Sequence, residues 1–215
     1  MIRILKGAVA LAAVAVVTSV LGGCSLLSTP DPVQLYRFGN LPSGVSERES
    51  PASTVQVAMR RPEFAQAVRE DRILGVTGTE AAYIAGARWV SSADILFSDS
   101  LESAFAAQAT RVRLVGPREL TRASQALDID VRTFEARYAS PGAAPVATIV
   151  ARVRLLNAQE RSVTAERVFT VEQPASENRV GPIVSAFDAA TRELNSQIVT
   201  WTDQNAQALP TTLAN

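Results

Sequence analysis

A chain of 215 residues with 21 basic and 21 acidic residues, 47% hydrophobic residues and no histidine excludes several classes of protein. The balanced charge gives no indication of nucleic-acid binding. The absence of histidine excludes Ser-His-Asp and Cys-His catalysis and zinc sites built on imidazole. An enzyme would have to work with carboxylates, serine or tyrosine, so the composition favours a binding protein without cofactors.

The N-terminus has the pattern of a bacterial lipoprotein signal peptide. Arg3 and Lys6 are followed by an apolar stretch over residues 8–20, which falls short of the about 20 apolar residues of a spanning helix. The stretch ends in the lipobox Leu-Gly-Gly-Cys, so we predict cleavage between Gly23 and Cys24. Cys24 is then the lipid attachment site, carrying N-acyl and S-diacylglycerol groups. The alternative is an uncleaved anchor, or an ordinary signal peptide with a chance cysteine.

The chain divides into four predicted segments. Removing the signal peptide, residues 1–23, leaves 192 residues, a length that fits one domain. Residues 24–52 are rich in Ser, Pro and Gly and are predicted to be a flexible tether, in which residues 33–38 alternate in polarity like an edge strand. Residues 53–205 form the predicted domain, and residues 206–215 a flexible tail.

The first half of the domain combines short strands with one helix. Alternating polarity predicts strands over residues 54–59, 72–76, 81–85 and 111–115. Between the last two strands the apolar residues recur every three or four positions, which predicts an amphipathic helix over residues 92–108. At its start, Ser91 as N-cap and Asp94 three residues later match the capping-box pattern.

The second half is predicted to be a three-stranded antiparallel meander and a long helix. Its strands cover residues 127–138, 146–155 and 163–171, each with one apolar face. The alternation slips by one residue near Arg132, which indicates a β-bulge. From Pro182 an apolar stripe predicts a helix of about five turns that packs on the sheet. The fold class is therefore α+β, an antiparallel or mixed sheet including the meander, with two amphipathic helices packed on it.

Two short motifs allow a chemical and a structural interpretation. Asp128 and Asp130 form an Asp-x-Asp like that of sugar-nucleotide enzymes, which bind a divalent cation through carboxylates. Their alternation with apolar neighbours is explained more simply by a solvated strand face. Residues 75–78 lack the third glycine and the helix of a phosphate-binding loop, and are interpreted as a turn. Asp94 is explained by helix capping, and Asp99 is predicted to face solvent.

Tyr83, Arg88 and Trp89 are the candidate partner interface. They place two large aromatic side chains and an arginine around Gly86, just before the predicted helix. These residue types are enriched at interface hot spots. The structural alternative is that Trp89 packs on the helix start as a hydrophobic staple.

Taken in order, these features resemble the ABC-type transport auxiliary lipoprotein family. The shared features are the lipobox, a Pro-rich tether with an early Tyr36, and a strand pair ending in Ala-Gly-Ala-Arg-Trp at 85–89. A meander with a mid-strand Phe134 and a final helix ending near Trp201 complete the set, which covers nearly all of the mature chain. The family has no known catalytic residues to transfer, and only Cys24 is carried over, as the acylation site.

The resemblance implies a partner and a location. Such lipoproteins work with transporters that combine an inner-membrane permease and ATPase with a mammalian-cell-entry (MCE) domain protein and move phospholipids or other lipids between membranes. Ser25 stands where an aspartate would favour inner-membrane retention, which favours the periplasmic face of the outer membrane of a Gram-negative bacterium. Three functions stay open: a docking module, a periplasmic carrier of lipids or small molecules with an apolar cavity, and an enzyme using carboxylates. A homo-oligomer is compatible with each of them.

Overall fold

The computed structural model describes residues 33–39, 55–116 and 123–207. Within these ranges, segments of alternating apolar residues form nine strands, and segments with apolar residues three or four positions apart form the helices. The strands are β1 Gln34–Tyr36, β2 Val55–Met59, β3 Glu63–Phe64, β4 Arg72–Thr77, β5 Glu80–Trp89, β6 Val112–Val115, β7 Gln125–Tyr138, β8 Val146–Asn157 and β9 Val163–Pro174. The helices are α1 Gln66–Arg69, α2 Ala93–Gln108 and α3 Val180–Asn205. The signal peptide, Cys24 and the tail beyond residue 207 lie outside the described residues.

The long strand β7 organises the sheet because its two edges carry different partners. One edge pairs antiparallel with β8 along nearly its whole length, and β8 pairs antiparallel with β9. Three strands share the other edge, all parallel to it: β2 near its start, β3 in the middle and β4 near its end. β6 extends the sheet beyond β2, while β5 and then β1 extend it beyond β4. β1 and β9 are therefore opposite edges of the path β1-β5-β4-β7-β8-β9.

The core lies between the inner face of this sheet and the two long helices. On β8, Ala147, Ile149, Ala151, Val153 and Leu155 are at most 1% exposed. The stripe on α3 is buried from Ile183 to Trp201, as the spacing predicts. Burial of each large apolar side chain stabilises the fold by about 1.5–3 kcal/mol, so this layer is the main source of stability in a domain without disulfides. Among the described residues, none of the helices combines the length and the apolarity needed to cross a membrane.

The predicted fold class is confirmed, as are the meander and the two long helices. The register between β7 and β8 shifts between Val131 and Thr133, which confirms the bulge. β3 and α1 were not predicted, because elements of two and four residues are too short to show a period. The parallel pairings of β7 could not be predicted from the sequence either, since alternation shows which face of a strand is buried but not which strands are its neighbours.

The start of α2 differs from the predicted capping box. The N-cap is Ser92 rather than Ser91, and its side chain makes no capping hydrogen bond. Instead, the Asp94 carboxylate accepts hydrogen bonds from the Ser92 hydroxyl at 2.6 Å and the Ile95 N–H at 2.9 Å. It also pairs with the Arg61 guanidinium at 2.7 Å. Asp94 is thus a buried ion-pair partner at the helix start, whereas Asp99 is exposed, as predicted.

Candidate anchoring and docking surfaces

Residues 33–39, which we call the N-terminal segment, are attached to the sheet by backbone pairing. β1 runs parallel to β5, with Leu35 opposite Arg88 and Tyr36 opposite Trp89. Beyond the strand, the Val90 N–H donates a hydrogen bond to the Tyr36 carbonyl oxygen at 2.7 Å. The alternation over residues 33–38 therefore does mark an edge strand, and that strand is the outermost of the sheet on this side.

An aromatic cluster holds the segment in the core. The Phe38 ring is 2% exposed and lies 4.8 Å from the Trp89 ring and 5.1 Å from the Phe134 ring, between centroids. Phe187 of α3 closes the cluster, 5.5 Å from Trp89 and 4.8 Å from Phe134. Offset and edge-to-face contacts of this kind each add about 0.5–1.5 kcal/mol beyond burial. The sequence analysis included Phe38 in a predicted edge strand but not in the core, because alternation over six residues does not show what the strand packs against.

Gly39 completes the attachment by its close approach to both long helices. Its φ of 74° lies in the left-handed region, which costs other residues about 1–2 kcal/mol. A Cβ atom at this position would lie 2.3 Å from the Ser100 Oγ of α2. The Gly39 N–H donates a hydrogen bond to Asp188 Oδ1 of α3 at 2.8 Å, and the same Ser100 Oγ accepts one from Asn195 Nδ2 at 2.7 Å. A glycine is required here by both backbone conformation and space.

The prediction of a tether over residues 24–52 is therefore wrong at residues 33–39, which belong to the domain. Only nine peptide units separate Cys24 from Val33. Whatever its conformation, that stretch of chain spans at most about 32 Å, against about 100 Å for the predicted tether. The link between the predicted acylation site and the first described residue is therefore about a third as long as the predicted tether.

Trp89 is a core residue, so the prediction that it lies in a partner interface is wrong. It is 1% exposed, and its ring packs against Phe38, Phe134 and Phe187. The staple interpretation does not describe it either, since a staple uses the residue just before the N-cap, and Trp89 stands two positions earlier than that. Its alternation with the exposed Arg88 on β5 places it on the inner face.

Tyr83 and Arg88 lie at the surface and are held in place by their neighbours. The Arg72 guanidinium stacks 3.7 Å from the centre of the Tyr83 ring, and the Tyr83 hydroxyl donates to the Ala67 carbonyl oxygen at 3.1 Å. Arg88 Nη1 donates to both carboxylate oxygens of Asp71, at 2.9 and 3.1 Å. Arg72 and Arg88 are opposite each other in the β4–β5 ladder. The two residues therefore belong to one ordered patch, and their role in partner binding stays a prediction.

The Asp-x-Asp motif lies on the solvated face of β7, where both of its carboxylates form ion pairs with arginines. Arg154 of β8 donates to Asp128 Oδ2 through Nε at 2.9 Å and also through Nη2. Asp130 accepts a hydrogen bond from Arg132 Nε at 3.0 Å. The structural interpretation of the motif is thus the one that the contacts support. Residues 75–78 lead into the β4–β5 turn at Gly78, whose φ is 58°.

Cavities at the surface of the described residues include one beside α2 and one beside α3. One, of about 680 Å³, lies at the start of α2 and is lined mostly by charged groups: Arg61, Glu63, Arg69, Glu70 and Asp94. The other, of about 380 Å³, lies between β9 and α3 and is lined by Arg167, Phe169, Ser196, Gln197, Thr200, Trp201 and Gln204. A lipid carrier would need an apolar space between sheet and helices. In the described part of the chain, the inner face of β8 is too completely buried to border such a space.

The electrostatics of the first cavity centre on Asp94. Burial alone would raise the pKa of its carboxyl group, but hydrogen bonds from Ser92 and Arg61, the Arg61 charge and the Ile95 N–H together hold that pKa below its usual value. A carboxylate that is already paired and hydrogen-bonded is stabilised in its charged form and is a poor proton donor. The site therefore fixes the start of α2 and is not arranged for acid catalysis.

Comparison with known proteins agrees with this geometry. The sequence model of the family described as "ABC-type transport auxiliary lipoprotein component" matches residues 36–199, from β1 into α3. The chain is similar to the crystal structure of protein XCC0632 from Xanthomonas campestris, with 27% identity and a TM-score of 0.65 over 81% of this chain and 94% of that one.

A second crystal structure, of an uncharacterized protein, shares the fold at 12% identity and a TM-score of 0.59, over 80% of this chain and 99% of that one. No curated protein matches the sequence. The family match covers most of the chain and begins within the N-terminal segment, the part that the sequence had assigned to the tether. The chain therefore belongs to the family of ABC-type transport auxiliary lipoproteins.

Proposed function

We propose that the protein is the outer-membrane auxiliary lipoprotein of an MCE-type transporter. Acyl chains on Cys24 anchor it to the periplasmic face of the outer membrane. Its partner is the MCE-domain protein, which works with an inner-membrane permease and ATPase. By docking this assembly at the outer membrane, the lipoprotein serves the movement of phospholipids or other lipids between the two membranes.

The attachment of the N-terminal segment is the observation that carries this proposal. With nine peptide units between Cys24 and Val33, the domain stays within about 32 Å of its anchor. A docking protein can function at that distance from its anchor, because it binds its partner without leaving the membrane. A carrier that ferries lipid between membranes would have to leave the anchored membrane, and the packed layer between sheet and helices offers it no cavity in the described residues.

The proposed partner contact is the patch around Tyr83 and Arg88. Tyrosine and arginine contribute strongly to binding when their side chains are already ordered, because less conformational entropy is lost on association. Here Arg72 orders the Tyr83 ring and Asp71 orders the Arg88 guanidinium. The patch lies on β5, the neighbour of β1, and on the β4 side of that strand.

Capture of the MCE protein from crosslinked cells tests the docking role. We expect the full-length lipoprotein to capture it, and Tyr83→Ala or Arg88→Ala to reduce capture by about tenfold or more, since truncating an important interface residue costs more than about 1 kcal/mol. Arg132→Ala is the matched control, because Arg132 is exposed and ion-paired like Arg88 but lies on β7. Equal capture by all three variants would disprove the contact, and no capture by the wild type would disprove the docking role.

Membrane fractionation tests the anchor. Cys24→Ala should release the protein into the periplasm or stall its processing, while the wild type fractionates with the outer membrane. An unchanged distribution of Cys24→Ala would show that the chain is held by something other than acyl groups. Mass spectrometry of the purified domain separates docking from carriage, because stoichiometric co-purified lipid would favour the carrier.

A further inference from the structure

Exposed apolar side chains are unevenly distributed over the described residues. Seven large apolar or aromatic residues are exposed there, and four of them lie in two stretches: from just before β1 into β1, and from the end of β5 to the first turn of α2. We call these four the apolar edge: Val33, Leu35, Val90 and Ile95, with 48%, 61%, 44% and 42% of their surfaces exposed. Such a concentration on one border of a sheet indicates a surface that is covered in the working protein.

The geometry of β1 places the first three members together. Val33 and Leu35 are two positions apart and therefore share one face. Leu35 is opposite Arg88 of β5, and Val90 follows two residues later, held against the end of β1 by its hydrogen bond to Tyr36. Ile95 lies in the first turn of α2, five residues further along the chain.

The chain upstream of the structure indicates what covers this edge. Val33 is both a member of the apolar edge and the residue at which the nine-unit link from Cys24 ends. The opposite border of the sheet, β9, is five strand spacings away, or about 24 Å. The link from Cys24 thus joins the described chain at the border of the sheet that carries the apolar edge, and not at β9. The exposed Arg37, directly after β1, adds a positive charge suited to lipid phosphate.

We propose that the apolar edge rests on the bilayer surface that holds the acyl chains of Cys24, with Arg37 against lipid phosphates. The inference rests on the proposed acylation of Cys24, but not on the identity of the transport partner. Apolar side chains beside a cation are the combination that binds the headgroup and acyl boundary of a membrane. Tyr83 is opposite Leu74, two positions along β4 from the Arg72 that is opposite Arg88. It therefore lies about 7 Å further toward the β4–β5 turn, beyond the β5 residues that pair with β1.

Quenching of a fluorescent label by lipid measures which border of the sheet meets the bilayer. Full-length acylated protein is reconstituted in phosphatidylethanolamine and phosphatidylglycerol vesicles, with and without lipid carrying a nitroxide near its headgroup. Leu35→Cys carries a nitrobenzoxadiazole label, which finds no other free thiol because Cys24 is acylated. Val168→Cys on β9 is the matched control, since Val168 is 51% exposed.

We expect the Leu35 label to be quenched several-fold more than the Val168 label. Adding Arg37→Glu should reduce this quenching, and should do so more in vesicles with phosphatidylglycerol than in vesicles of phosphatidylcholine alone, which carry lipid phosphate but no net charge. Equal quenching at the two positions overturns the proposal. It is also overturned if the emission of the Leu35 label is shifted to the blue but is not quenched by the nitroxide lipid, because protein rather than lipid would then cover the edge. Intact mass keeps the two proposals apart: a chain without acyl groups overturns both, whereas an acylated chain with an unquenched Leu35 label overturns only the orientation.

Discussion

Replacing Phe38 by alanine tests whether the N-terminal segment is part of the folded domain. The ring is 2% exposed and contacts Trp89 and Phe134. Truncation removes this burial, leaves a cavity beside the Trp89 and Phe134 rings and loosens the attachment of the N-terminal segment to the core. Substitutions of this type cost about 3–5 kcal/mol. The expected change is therefore a large fraction of the stability of a domain of this size.

The assay is thermal and urea unfolding of the mature chain carrying Cys24→Ser, which removes the acyl groups from the measurement. For a chain of this length each kcal/mol shifts Tm by about 2–4 °C, so Phe38→Ala should lower it by about 6–20 °C. Leu35→Ala is the matched control in the same segment. Leu35 is 61% exposed, so its truncation should change the free energy of unfolding by less than about 0.5 kcal/mol.

If Phe38→Ala and Leu35→Ala had the same Tm and the same free energy of unfolding, the reasoning would be refuted. Equal stability would show that residues 33–39 contribute little to the folded state and belong to a long tether after all. The approximate 32 Å limit on the distance between anchor and domain would then be lost, and with it the argument for docking over carriage. The stability of this one variant thus decides a functional question.

Two further predictions concern residues around the same helices. Gly39→Ala should destabilise the protein by more than about 2 kcal/mol in urea unfolding, because strained backbone combines with displacement of Ser100. Gly78→Ala, at a similar φ of 58° with nothing within 4 Å, should cost only about 1 kcal/mol, and equal losses would contradict the close approach at Gly39. The lowered pKa of Asp94 means that its stabilisation is present above about pH 4 and lost as pH falls through the folded-state pKa. Asp94→Asn should therefore lower the free energy of unfolding by about 1–3 kcal/mol at neutral pH. In urea unfolding at several pH values, this difference from the wild type should shrink toward about pH 3. A difference that is independent of pH would show that the charge of Asp94 contributes nothing.

Periodicity predicted those parts of the fold in which the polarity of each residue indicates whether its side chain is buried. The alternation on β7 and β8 located both strands and also the bulge, because a one-residue slip moves every later side chain to the other face. The apolar stripe from Ile183 to Trp201 located α3 for the same reason. Contacts between distant segments leave no such local trace. Nothing around Trp89 in the sequence shows that Phe38, about fifty positions earlier, packs against it.

The sequence by itself determined the α+β class, the family and the prediction that Cys24 is the lipid attachment site, because these depend on local patterns and on the order of motifs. It offered Trp89 as a candidate interface residue, with a structural alternative, and assigned residues 33–39 to a tether, since hot-spot composition and a Pro-rich context are local signals too. Only the tertiary structure decided that the segment packs in the core and that exposed apolar side chains lie at the border of the sheet where this segment begins. The reason is physical: burial and distance are properties of pairs of residues far apart in the chain, which become defined only when the sheet and helices pack.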